Sequence, residues 1–242
     1  MLAALGWGAV AASSLVLGAL LAFARRWPRR QVGLVLAFGA GALISAVSFE
    51  LAAEGIEVGS LRATAAGLGV GAIAYFGLDG AIARRFSASR GRGGRATGSD
   101  PGTSLALGAF LDGIPEQLVL GIGLASGEGV GLGLLVAIFV SNLPEAIGSA
   151  SEMRDAGVER SGVLALWAGV AAVCTLASVA GYGIADVASG DLRAAIDGFA
   201  AGALLVMLID SMIPDATRDS GRVAGLVTTL GFAVATALSS LS

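Results

Sequence analysis

Two five-residue elements, Asp112-Gly113-Ile114-Pro115-Glu116 and Ser141-Asn142-Leu143-Pro144-Glu145, repeat an arrangement of oxygen-bearing side chains and a proline at an offset of 29 positions. Asp112 and Glu116 are four residues apart, as are Ser141 and Glu145. On a helix each pair therefore leaves one face about one turn, ~5–6 Å, apart. Carboxylate and hydroxyl oxygens so spaced can close on one cation. No Arg or Lys occurs between residues 101 and 153, so any charge buried there must be answered by a divalent cation or by protons. Protonated acids hydrogen-bonded between helices as packing contacts are the simpler alternative.

The elements that position these residues belong in lipid. Of 242 residues 55% are hydrophobic and 14% charged, and the mean hydropathy is +0.83, too apolar for a domain that must face water on all sides. The 38 glycines suit membrane helices that pack backbone to backbone through small residues. A hydrocarbon core of ~30 Å takes ~20 apolar residues per helix. That ruler predicts an all-α integral membrane protein with eight transmembrane helices at 2–24, 31–53, 61–83, 103–126, 129–151, 161–186, 194–213 and 222–241. They form one transporter-like domain over 1–242, with 84–102, rich in Arg, Gly and Ser, as a flexible cytoplasmic loop. The first apolar stretch is followed, not preceded, by Arg residues, which reads as a spanning helix and not a secretion signal.

Thirteen of the 15 Arg fall in the connections after the first, third, fifth and seventh spans, and only Arg62 and Arg193 in the others. By the positive-inside rule both termini lie outside a cytoplasmic, or inner, membrane. The acidic elements then fall in the middle third of their spans, where an uncompensated carboxylate costs at least ~2.5–3.5 kcal/mol. Pro115 and Pro144 each remove a main-chain hydrogen bond, predicting helices that are bent or broken at that depth, a feature tolerated where backbone lines a cavity. Gly41-Ala42-Leu43-Ile44 is matched by Gly202-Ala203-Leu204-Leu205 at an offset of 161. Because spans two and seven run in opposite directions, the match predicts an inverted 3+2+3 repeat about the central pair.

These elements, their order, the eight spans with outward termini and the long loop after span three resemble the ZIP (Zrt/Irt-like protein) family of divalent metal transporters over essentially the whole chain. In that family spans four and five carry His-Asn-x-Pro-Glu-Gly elements around a central metal site. By position the resemblance implies metal ligands at Asp112, Glu116, Ser141, Asn142 and Glu145. It also sets the span-seven ending, Asp210 to Asp215, and Glu50 and Glu54 against acidic or His positions of the family. Two departures thin a second metal position: Gly113 replaces the first Asn, and Cys174 stands where span six often carries Glu. The chain has no His, and oxygen donors suit harder ions such as Mn²⁺ where imidazole and thiolate favour Zn²⁺.

The expectation is a carrier, not an enzyme, that moves a divalent cation (Zn, Fe, Mn or Cd) inward by alternating access. The metal is cargo, with no organic cofactor, no phosphate-binding Gly-x4-Gly-Lys loop and no nucleic-acid partner; the lipid bilayer and a homodimer are the associations it admits. A ZIP-like membrane protein that binds metal or a partner without transport is the alternative. An intramembrane aspartyl enzyme lacks its usual Gly-x-Gly-Asp signature here.

Overall fold

Backbone groups inside a bilayer find no water, so a spanning segment must satisfy its hydrogen bonds internally, and these Ala-, Leu- and Gly-rich stretches do so as helices. The computed structural model describes residues 1–91, 101–125, 132–185 and 190–240, and their side chains except over residues 82–112. Among the described residues eight helical rods follow one another: α1 Leu2–Ala24, α2 Arg29–Val58, α3 Leu61–Gly91, α4 Pro101–Ala125, α5 Leu132–Asp155, α6 Arg160–Ala185, α7 Gly190–Ser220 and α8 Val223–Ser239. Six of them carry a described stretch long and apolar enough to cross a membrane; α8 and the Gly113–Ala125 part of α4 are shorter apolar helices.

The rods end where the backbone must turn. Pro28, extended at φ −62° and ψ 132°, is the residue from which α2 starts. Gly157 and Gly221 take positive φ, +85° and +65°, at the ends of α5 and α7, a region closed to most side chains. Of residues 84–102, expected as a loop, 84–91 continue α3 and Pro101 already opens α4; residues 92–100 lie outside the described residues.

Both prolines lie inside unbroken helices, Pro115 in α4 and Pro144 in α5. This corrects the expectation of broken segments: a helix embedded among neighbours absorbs one missing hydrogen bond. The departures from α-geometry occur in α2 and α7 instead, as π-helical turns over Val47–Ala53 and Leu208–Met212.

Neighbours follow chain order only in part. The closest pairings set α3 on α7, α8 on α2, α4 on α6, and α1 between α5 and α6, with α2 and α4 both against α5. One apolar core joins α2, α4, α5 and α7 through Leu43, Leu120, Ile138 and Leu204, and a second joins α1, α5 and α6 around Trp167. Two of the contacts recur residue by residue. A Cβ on Gly41 of α2 would overlap the carbonyl of Thr228 in α8, and one on Gly202 of α7 would overlap that of Leu68 in α3. Gly231 meets Phe38, and Gly71 meets Phe199, in the same way. The partners on α2 and α7 are 161 positions apart in both cases, as are the starts of the two π turns, Val47 and Leu208.

Close backbone approach at these glycines predicts a strict size limit. Gly41→Ala and Gly202→Ala should each lower stability by about 1–3 kcal/mol through overpacking. Gly69→Ala, whose new Cβ meets nothing within 4 Å, should be neutral or stabilising by helix propensity. Thermal unfolding of the purified protein in detergent reads the difference; equal midpoints for all three variants would contradict the packing described.

Candidate functional site

The joint between α4 and α5 buries an acid among neutral donors. The six residues 126–131 that join these helices span at most ~20 Å, short of the ~36 Å length of a 24-residue helix, so the packed pair runs antiparallel. Glu116 of α4 is 1% exposed, as are Ser141 and Asn142 of α5. Asn142 Nδ2 donates to Glu116 Oε2 at 3.1 Å. The hydroxyl of Ser141 points to Glu116 Oε1 at 3.4 Å, but lies nearer the carbonyl of Ile138, at 3.0 Å. One hydroxyl hydrogen serves both, so the amide of Asn142 is the stronger of these two donors.

Residues adjacent in sequence point 100° apart on a helix, and α5 must therefore lie broadside to α4 for Ser141 and Asn142 to reach the same carboxyl. Small residues allow it. A Cβ on Gly39 of α2 would come within 2.9 Å of Ser141 Cα, so α2 lies directly against α5 at this level. Met212, at the end of the π turn in α7, reaches the same point. The site thus stands where α2, α4 and α5 meet, beside an irregular turn of α7.

Of the five residues expected to hold a metal, the structure brings together Glu116, Ser141 and Asn142. Glu145 is half-buried one turn beyond Ser141 on α5. The backbone of Asp112 belongs to α4, and its side chain lies outside the described residues. Among the described residues, no three His, Cys, Asp or Glu side chains converge as a preformed metal cluster. The two departures from the family pattern face each other: a Cβ on Gly113 would lie 2.7 Å from Cys174 Sγ. Cys174 is 1% exposed, and Glu116 is near enough to act on it electrostatically. A larger residue at 113 would have to displace the thiol.

Three further polar side chains stand outside the five expected ligands: Gln117, Glu50, which the family resemblance had already set against an acidic or His position, and Asp197. Gln117 is fully buried beside Glu116; its Nε2 donates weakly to the carbonyl of Gly8 in α1 at 3.4 Å, and its Oε1 has no hydrogen-bond partner among the described residues. Glu50, on the π turn of α2, accepts the backbone N–H of Leu134 at 3.0 Å and the hydroxyl of Ser239. It caps the first turn of α5, where orphan N–H groups and the helix dipole favour an anion. Gly133 permits the approach, since a Cβ there would overlap the Glu50 carboxylate. Asp197, near the start of α7, is 5% exposed, with Glu54 and Arg193 as its charged neighbours. A polar residue in an apolar run marks Gln117 and Asp197 in the sequence, and that mark does not name the partner.

No protein-family model matches this chain, and no curated protein matches it significantly.

The Glu116–Asn142 contact can be measured as a coupling. Asn142→Ala should cost about 1–3 kcal/mol where the buried carboxylate loses its donor. The same substitution in a Glu116→Leu background should cost markedly less. Equal losses in both backgrounds, read by thermal unfolding in detergent, would place the two side chains out of contact.

Proposed function

We propose that the chain is a membrane carrier for a divalent cation, of the zinc, iron or manganese class, that binds its cargo at the α4–α5 joint. The observation that carries the reading is Glu116: an acid 1% exposed, on a helix pair without Arg or Lys between residues 101 and 153, held on both oxygens by neutral groups of the facing helix. Neutral donors orient a carboxylate but do not cancel its charge, and in an apolar interior a cation or a proton completes the balance. Glu116, Ser141, Asn142 and Glu145, with Asp112 one turn before Glu116, would supply oxygen ligands, a set that favours harder ions such as Mn²⁺ over Zn²⁺. Metal binding needs the ionised acid, so protonation of Glu116 or Glu145 favours release.

Movement belongs to the same reading. Spans 1–3 and 6–8 are taken as inverted repeats around α4 and α5, supported by the recurring glycine contacts of α2 with α8 and α7 with α3 and by the π turns at matching places. Such repeats rock against a fixed midplane site in alternating access. The resemblance to ZIP transporters rests on the same elements and implies flux inward, and the Arg distribution supports a cytoplasmic membrane with both termini outside.

Purified protein in proteoliposomes should take up Mn²⁺ saturably. Glu116→Gln and Glu145→Gln should each reduce uptake to the level of empty vesicles while the protein still reconstitutes as a folded species. Wild-type rates in either variant would overturn the assignment. Bound metal without flux in the unmodified protein would select a metal-binding membrane protein instead.

A further inference from the structure

The end of the bundle that carries most of the Arg holds an open cleft of about 490 Å³ between the last turns of α1 and α5, lined by Phe23, Arg25, Arg26, Arg154 and Asp155. Three guanidinium groups face one carboxylate across it, and that carboxylate is engaged: Asp155 Oδ1 pairs with Arg154 at 3.0 Å. Arg154 is itself fixed, because its Nη1 donates to the carbonyls of Ala22 and Arg25, satisfying groups that the end of α1 leaves open. It is therefore part of the cleft wall, with its side chain 22% exposed.

The other two arginines are differently placed. Arg25 sits over the ring of Trp27, its Cζ 3.7 Å from the ring centre, and donates through Nη2 to Gln31 at 2.9 Å, two contacts that hold its guanidinium at the cleft. Arg26 is exposed and makes no hydrogen bond or ion pair among the described residues. Trp27 is anchored in turn by its Nε1, which donates to the carbonyl of Leu21 at 2.8 Å. Arg160 approaches the ring of Phe23 at 5.8 Å on the same rim. Surplus positive charge, one guanidinium held by two contacts, one uncommitted guanidinium and aromatic side chains meet at one cleft.

We propose that this cleft binds a phosphate monoanion or dianion, in the form of an anionic phospholipid headgroup, between Arg25 and Arg26 against Phe23. Guanidinium forks match phosphate oxygens in pairs, and basic pockets between transmembrane helices take lipid headgroups. The aromatic side chains beside the guanidinium groups, Phe23 and Trp27, favour a phosphate that carries an apolar portion over a free phosphate. Aromatic residues at the same level are typical of the bilayer interface, where acyl chains continue from such a headgroup.

The test uses the full chain purified in detergent, with thermal unfolding followed on addition of phosphatidylglycerol, phosphatidylcholine or inorganic phosphate. Phosphatidylglycerol at about tenfold excess over its Kd should raise the midpoint by roughly 3–6 °C, and phosphatidylcholine should not. The response should vanish in Arg25→Gln/Arg26→Gln and persist in Arg29→Gln/Arg30→Gln, which removes the same charge outside the cleft. An equal rise with inorganic phosphate would keep the anion site and assign it to a soluble ligand. Equal responses to the two lipids, or equal losses in the two double variants, would overturn the site in favour of diffuse surface attraction. If Arg25→Gln/Arg26→Gln fails to fold, Arg26→Gln alone, which disturbs no contact, must weaken the response at least threefold in apparent Kd or the proposal fails.

Discussion

An acid carried into an apolar interior has to be met by donors, a proton or a cation, and the centre of this molecule is arranged around that requirement. Glu116 is buried from all sides, and the helix opposite turns an amide and a hydroxyl toward it. For those groups to arrive, α5 must lie close along α4, and α2 must press against α5 at Gly39. Side chains in that contact are small because the backbones are near. Close backbone approach at glycines recurs in the α2–α8 and α3–α7 pairs, as expected where lipid supplies no hydrophobic drive of its own to bring helices together.

A second level of order surrounds this joint. The contact of α2 with α8 is built like that of α7 with α3, down to which glycine lies under which carbonyl, and both α2 and α7 widen into a π turn at the corresponding place. Such turns are uncommon and occur frequently at functional positions. One of them carries Glu50, which caps the start of α5, and the other carries Met212, whose side chain lies beside Gly39 where α2 meets α5. A shift in the π turn of α2 would be felt at the start of the helix that provides Asn142 and Glu145.

Much of this was legible in the residues. Hydropathy over ~20-residue windows located the rods, because burial of backbone in lipid leaves the helix as the available solution, and the paired Pro-Glu elements pointed to the α4–α5 joint. The 161-residue offset first noticed in Gly41 to Ile44 is also the register of the glycine contacts. The prolines misled: their local effect suggested broken helices, while the surrounding packing holds α4 and α5 continuous. The π turns left no composition signal, since they arise from tertiary contacts. Glu50 stood out in the sequence through the family resemblance, while its cap on Leu134, 84 positions away, depends on a pairing that no local pattern announces. Gly113 and Cys174 read as separate departures, and only the packing of α4 on α6 sets one against the other.

On the proposed reading the Glu116 carboxylate, oriented by Asn142 and Ser141, gives the joint its affinity for a cation. Equilibrium dialysis of the purified protein against Mn²⁺, with the free ion read by electron paramagnetic resonance, tests this without any assumption about transport. A saturable Mn²⁺ site is expected, weakened more than tenfold in Glu116→Gln, a variant that keeps the shape and removes the charge. Unchanged binding in that variant, or no saturable binding in the unmodified protein, would contradict it.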